Sequence, residues 1–334
     1  MSEATPEPGL IVSAEKPGWR LWWRRTADGL TVGSAFIGAL SMIVLLLGLT
    51  GVIVYGAWEA IRSFGLHFFV DWQWNPVRAT FGAWPVVYGT VVTAFIALLI
   101  AVPVALGSAV FLVRLAPRWL MVPASFLIEL LAAIPSIAYG LWGSAILVPL
   151  MQDYVHPALA TSLGQVPGLG RFFVSGNTGF SILAAGIILA IMVTPIITAI
   201  TRDVLRTVPP ELEQGAYGLG ATWWQATKIV LAYARMGIFG AIILGLARAL
   251  GETMAVTMLI GNTIHRSNDV DKYSLLAPGQ TIASLLANQF GEADTDMHKS
   301  ALIYSALLLL LITALINGVA RILIVHVTQN AAKR

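Results

Sequence analysis

The feature that most constrains this chain is a set of long stretches without a single charged residue. They run from Leu30 to Trp58, from Ala79 to Val113, from Leu130 to Gln152, from Phe172 to Thr201 and from Ser300 to Ala320. A helix needs about 20 largely apolar residues to cross the roughly 30 Å hydrocarbon layer of a bilayer. Because every stretch is long enough for one crossing, the sequence predicts an all-α polytopic membrane protein.

Composition excludes an ordinary soluble protein. Of the 334 residues, 57% are hydrophobic and 11% are charged, whereas a soluble domain carries about 25% charged residues. The chain has no cysteine, which excludes disulfides and thiolate metal sites. The 5 histidines show no metal-ligand spacing, and no Gly-rich P-loop is present. We therefore expect no metal site, no ATP site and no catalytic residues in this chain.

A sixth span is expected from Met236 to Asn262, where two charges interrupt an apolar stretch. The predicted spans, within a transmembrane domain of residues 29–326, are 33–57, 84–113, 119–151, 179–201, 236–262 and 300–322. Membrane proteins carry an excess of Lys and Arg on the cytoplasmic side. With the N-terminus in the cytoplasm, 13 basic residues lie on that side and 6 on the other. Both termini are therefore predicted to be cytoplasmic.

The same distribution defines the cytoplasmic segments, which are two tails of residues 1–28 and 327–334 and a long loop of residues 202–235. The basic residues follow the side of the membrane and do not gather into one patch. A positive field needs such a patch to attract nucleic acid. The expected surroundings are therefore the lipid bilayer, with no nucleic-acid partner.

The cytoplasmic loop has the pattern of a helix, a glycine break and a second helix. Pro209–Pro210, followed by Glu211 and Glu213, predicts a helix start, because proline suits the first turn and acids suit the N-terminal dipole. Gly218 and Gly220 end that helix. An elbow of this kind lets the surface of another protein approach closely, so we expect it to act as a lever gripped by a partner.

Arg248 and Glu252 fall near the middle of the sixth predicted span. Each would cost about 2.5–3.5 kcal/mol at the membrane centre, so such residues face protein or water. Their i, i+4 spacing places them on one helical face. Arginine can donate two parallel hydrogen bonds to a phosphate-like oxyanion, and a carboxylate can orient it. These residues alone support an oxyanion site and a structural ion pair equally.

Pro135 is expected to bend the third span, because proline removes one backbone N–H from the helix. In transporters such breaks often line a cavity. Ser136 and Tyr139 place hydroxyls beside the bend, where they could line the substrate pathway or form ordinary interhelical hydrogen bonds. Glu129 lies earlier in the same span and is expected to have a structural role.

The cytoplasmic loop resembles the coupling loop of ABC-importer permeases, known as the EAA loop. The residues that correspond to its pattern are Gln214, Gly215, Ala216, Gly220, Ile229 and Leu231. Gln214 stands where the pattern has an acid, and Ala232 stands where it has proline. The resemblance implies that these six positions couple the chain to an ATPase.

A more specific resemblance lies in GLARALGETMAV, within Ile243–Asn262. It is similar to the C-type permease subunits of the high-affinity phosphate (Pst) ABC importers. Ile128–Gly143 (IELLAAIPSIAYGLWG) and Gly215–Thr222 (GAYGLGAT) resemble the same family. The resemblance implies a type I ABC-importer permease fold and assigns Arg248 and Glu252 to phosphate translocation.

By this resemblance the chain is a transport subunit of an ATP-driven phosphate importer in a bacterial cytoplasmic (inner) membrane. A homologous second permease, two copies of an ATPase that uses ATP and Mg, and an external phosphate-binding protein would complete it. The chain itself would hold no cofactor. The alternatives are a permease for another oxyanion, such as sulfate or molybdate, or for an organic solute. A membrane enzyme using Glu129 or Glu252 and a passive anion channel are further alternatives.

Overall fold

The computed structural model describes the backbone of residues 18–174, 178–264 and 272–332, and within these ranges the side chains of residues 31–322. The α-helices are α1 (Gly18–Gly56), α2 (Trp58–Phe64), α3 (Trp84–Val110), α4 (Arg118–Ala133), α5 (Ser136–Trp142), α6 (Val148–Leu150), α7 (His156–Ser162), α8 (Ile182–Arg206), α9 (Pro210–Gly218), α10 (Trp223–Leu250), α11 (Met254–Leu259), α12 (Ile282–Gln289) and α13 (Asp296–Ala332). Shorter 3-10 turns are Gly65–Phe69, Gly170–Phe172 and Phe290–Glu292. Wider π-helical turns are Phe111–Leu115, Gly143–Leu147 and Met151–Val155.

The described residues contain five helices long and apolar enough to cross a membrane, and one bent pair that could form a sixth span. The five are Thr31–Gly56, Trp84–Leu115, Ile182–Arg206, Trp223–Leu250 and Asp296–Ile322. The bent pair joins Arg118–Ala133 to Ser136–Ser162. The prediction of an all-α architecture with about six spans is confirmed.

The chain divides into two compact units, residues 1–52 and 53–334. Where it is described, the first unit consists of α1. Between residues 31 and 52 the apolar side chains of α1, among them Phe36 and Leu45, are exposed. A helix that is apolar all round needs an apolar solvent or a protein surface around it, which agrees with a membrane span.

The third predicted span is not one helix. The chain breaks at Ile134–Pro135, and the two halves meet at 90°. Ile134 has an extended backbone with ψ 130°, because a following proline disfavours the helical conformation. Pro195 does not break its helix, since α8 continues through it from Ile182 to Arg206.

The centre of the second unit is the pair of helices α3 and α8, which pack along each other, with α10 against both. Small residues permit the close approach. A Cβ at Gly186 would lie 2.6 Å from Ile96, and one at Gly245 would lie 2.7 Å from Ile197. These contacts make α3, α8 and α10 one packed body.

At the N-terminal end of α3 lies a small hairpin. Its strands, β1 (Trp74–Asn75) and β2 (Thr80–Phe81), pair antiparallel with Trp74 opposite Phe81. The segment before α12 packs against the same end of α3, where a Cβ on Gly89 would lie 2.1 Å from the carbonyl oxygen of Gln280. The C-terminal end of α3 is the other pole of this unit and approaches α9, as described next.

Candidate functional site

The helix that carries Arg248 begins much earlier than the predicted span of residues 236–262. Helix α10 starts at Trp223, where Thr222 and Gln225 form a capping box, and it runs without interruption to Leu250. Arg248 therefore lies about 37 Å along one helix from the elbow, at about 1.5 Å per residue. A single rigid element joins the cytoplasmic elbow to the charged pair.

The predicted span also ends differently. Gly251–Thr253 interrupt the helix, and the short α11 follows from Met254 to Leu259. Glu252 is therefore not on a continuous face of α10, as its i, i+4 spacing had predicted. It lies in the break, just beyond the helix end.

The charged groups of Arg248 and Glu252 nevertheless lie close together. The distance between Arg248 Nη2 and Glu252 Oε2 is 3.8 Å, and the side chains are 44% and 7% exposed, respectively. The carboxylate is thus enclosed, whereas the guanidinium is open on one side. At 3.8 Å the two groups form an ion pair without a direct hydrogen bond, and each offsets part of the other's charge.

The break after α10 borders an apolar cleft. Gly251 and Thr253 line a space of about 490 Å³ together with residues of α12 and α13, such as Ala283 and Ile303. Its walls offer few polar groups beyond the break itself.

Ser136 and Tyr139 lie on α5, which packs against α11 directly beyond the break. Tyr139 is buried, and its hydroxyl donates a hydrogen bond of 2.9 Å to the carbonyl oxygen of Leu131. The same carbonyl accepts the N–H of Ile134 at 3.3 Å, so the hydroxyl of Tyr139 joins α5 to the end of α4. Ser136 is half-buried at the start of α5, so of the two it has the hydroxyl better placed for another partner.

The elbow has the form that the sequence predicts. Helix α9 begins after Pro209, with Pro210 in its first turn, and ends at Gly218. Gly220 follows with φ +80°, a left-handed conformation that glycine adopts without cost. The short helix α9 is therefore connected by one turn to α8 and by another to α10.

The coupling positions divide between the surface and the interior of this elbow. Gln214, Gly215, Gly220 and Ile229 are exposed, Leu231 is half-buried and Ala216 is buried. Large apolar side chains are exposed beside them, namely Tyr217, Leu219, Trp223, Trp224 and Tyr233. Exposed apolar surface of this kind marks contact with another protein or with lipid.

An ion pair that the sequence analysis did not identify fixes the elbow to the packed body. Arg114 Nη1 donates a hydrogen bond of 2.7 Å to Glu213 Oε2. Arg114 follows α3 in the π-helical turn Phe111–Leu115, and Glu213 lies on α9. The two are 99 positions apart, so no spacing rule could pair them.

A second such pair involves Glu129. Arg202 is buried near the end of α8, and its Nη2 donates a 2.9 Å hydrogen bond to Glu129 Oε1. Its Nε donates to Asp203. Glu129 therefore joins α4 to α8, in agreement with the structural role expected for it. Among the residues that the structure describes, no cluster of His, Asp and Glu could hold a metal ion.

Residues 101–332 match the profile of a protein family described as binding-protein-dependent transport system inner membrane component. The chain is 45% identical over 88% of its length, and 92% of the relative, to the phosphate transport system permease protein PstC of Haemophilus influenzae. It is 45% identical to the protein of the same name from Mesorhizobium japonicum, over 86% of this chain and 87% of the relative.

Among solved structures, the chain resembles the methionine ABC transporter MetNI in inward-facing conformations. The TM-score is 0.50 at 20% identity, over 75% of this chain and 95% of that one. At this identity the likeness concerns the fold alone. The predicted ABC-importer permease fold is confirmed.

Proposed function

This chain belongs to the family of binding-protein-dependent inner membrane transport components, and within it to the PstC-type permeases, and on that premise we propose that it is a transmembrane subunit of an ATP-driven phosphate importer. Its place would be the bacterial inner membrane, as a multi-pass protein. Both termini and the elbow would face the cytoplasm. The chain would move substrate and carry out no chemical reaction itself.

The observation that carries this proposal is the continuity of α10 between the elbow and Arg248. If the helix enters the membrane near Met236, as the basic residues before it indicate, Arg248 lies about 18 Å further along, at about 1.5 Å per residue. That depth is near the middle of a hydrocarbon layer of about 30 Å. A motion of the elbow would therefore reach the charged pair through one helix.

The substrate class follows from the chemistry of that pair. A guanidinium in an apolar, water-poor place binds a tetrahedral oxyanion strongly through charge-assisted hydrogen bonds. The enclosed Glu252 would hold Arg248 in position. It would also accept a hydrogen bond from a protonated oxygen of phosphate, an interaction that fully ionised sulfate cannot offer. This difference and the names of the relatives favour phosphate over sulfate or molybdate.

The partners follow from what the single chain leaves open. The side chain of Arg248 is 44% exposed in this chain, and a charge at that depth must face protein or water. A homologous second permease would close this side. Two copies of an ATPase, using ATP and Mg, would dock on the elbows, and an external binding protein would deliver phosphate. No cofactor would reside in this chain.

The transport cycle can be stated in terms of these elements. Closure of the ATPases on ATP would press on α9 and the start of α10. The packed helices would then change access from one side of the membrane to the other, with the anion held at Arg248. An apolar surrounding strengthens the contact between Arg248 and its anion, so release must come from a conformational change that weakens this contact.

The proposal is tested by radiolabelled phosphate uptake into proteoliposomes that contain this chain with its candidate partners. We expect uptake that requires ATP and persists with excess unlabelled sulfate. Inhibition by sulfate would widen the substrate class to oxyanions in general. Uptake that proceeds without ATP would contradict the proposal and indicate a channel.

A further inference from the structure

Apart from the packing of α9 against α10, the attachment of this coupling helix to the membrane body has three parts, and two of them are its direct connections along the chain. Pro209, with ψ 130°, joins α9 to α8. Gly220, with φ +80°, joins it to α10. Helix α9 also packs chiefly against α10. None of these links reaches α3, which is followed along the chain by α4.

The third part is the ion pair between Arg114 and Glu213. The side chain of Arg114 is 6% exposed and that of Glu213 is 33% exposed, with 2.7 Å between Nη1 and Oε2. Within the described residues, Nη2 of Arg114 is buried without a hydrogen-bond partner. A buried charge that loses its partner is strongly unfavourable. Arg114 and Glu213 must therefore move together.

The place of Arg114 makes that link useful for transmission. It lies in the π-helical turn Phe111–Leu115, which ends with Ala116 donating its N–H to the carbonyl of Phe111 at 2.8 Å. Such turns occur often at functional positions. Directly before it runs α3, which packs along α8 for most of its length. A displacement of Arg114 would therefore be transmitted to α3.

The N-terminal end of α3 packs against the segment that precedes α12. Gly89 meets the backbone of Gln280, and the hydroxyl oxygen of Thr90 accepts a hydrogen bond of 2.9 Å from the N–H of Ile282. Motion along α3 would therefore reach the opposite side of the membrane domain. Helix α10 would carry the same motion to Arg248.

We propose that the Arg114–Glu213 ion pair is a second transmission point, through which the coupling helix moves α3 together with α10. This inference rests on the proposed ATP-driven transport. Glu213 is a positioning residue in this scheme, since it acts through Arg114 and touches no substrate. Glu213 lies next to Gln214, which stands where the coupling-loop pattern has an acid. In this chain the neighbouring acid, Glu213, instead pairs with Arg114 of the same chain.

The test compares coupling efficiency, measured as phosphate imported per ATP hydrolysed, in reconstituted complexes. E213Q keeps the shape of the side chain and removes its charge. We expect it to lower the ratio at least threefold while ATP hydrolysis continues. The matched control is E211Q, which makes the same change at an exposed position of the same helix and should keep the wild-type ratio.

A charge swap provides the second variant. We expect R114E and E213R each to lower the ratio, and the double variant R114E/E213R to regain more than half of it. If E213Q reduces the yield of assembled complex, the recovery of the phosphate-to-ATP ratio in R114E/E213R still tests the inference. A wild-type ratio in E213Q, or no rescue by the swap, would overturn the inference. Wild-type complexes that import no phosphate with ATP would instead contradict the proposed function itself.

Discussion

Arg248 and Glu252 differ in how fully one chain encloses them, and that difference says what each can do. Glu252 is buried in the break after α10, whereas Arg248 keeps an open side. A charged hydrogen bond contributes about 1.5–3 kcal/mol when it is made, and leaving one of its partners buried and unpaired is costly. The enclosed acid is therefore suited to hold the arginine, and the open arginine is suited to hold a ligand.

At this scale we expect R248A to reduce ATP-driven phosphate uptake about 10- to 100-fold, the factor that corresponds to 1.5–3 kcal/mol. R248K should fall between R248A and the wild type, because an ammonium cannot form two parallel hydrogen bonds to the anion. Initial uptake rates, normalised to assembled complex, measure this. The matched control is R78A, a change at an exposed loop arginine. Full uptake by R248A would remove Arg248 from the pathway.

At the scale of elements, the elbow depends on one left-handed residue. Gly220 has φ +80°, and a Cβ there would meet nothing within 4 Å, so its glycine is required by conformation and not by space. Gly218, the last residue of α9, has equally open surroundings without a left-handed φ. Because neither glycine is crowded, comparing them isolates the effect of the left-handed backbone conformation.

G220A should destabilise the elbow by about 1–2 kcal/mol, the cost of the left-handed region for an L-residue. We expect a lower thermal unfolding midpoint of the purified complex and reduced uptake. G218A should leave the midpoint unchanged or raise it, because alanine is about 0.5–1 kcal/mol better than glycine inside a helix. Equal midpoints for G220A and the wild type would show that the turn relaxes to another conformation.

At the scale of the whole molecule, the two ends of α3 lie at opposite poles of the membrane domain. The hairpin β1–β2 precedes its N-terminal end, and the elbow is tied to its C-terminal end through Arg114. If the elbow meets the cytoplasmic ATPases, the hairpin must face outward. The distribution of Lys and Arg predicts the same orientation, because cytoplasmic loops carry the excess of positive charge.

The absence of cysteine from the sequence makes this orientation simple to test with single-cysteine variants. Val77 in the hairpin is 95% exposed, and Leu219 in the elbow is 91% exposed. We expect a membrane-impermeant maleimide to label V77C in intact spheroplasts and L219C only after the membrane is opened. Labelling of L219C from outside would reverse the predicted topology.

The sequence by itself determined the membrane class, about six spans, the elbow and the intramembrane charges. Each of these is a local property of hydrophobic length, of glycine and proline positions, or of a charge in an apolar stretch. Only the tertiary structure decided the 90° angle of the bend predicted at Pro135, the break that encloses Glu252 and the partners of Arg114 and Arg202. Those partners lie 99 and 73 positions away along the chain, and packing between distant helices, which no local pattern records, brings them together.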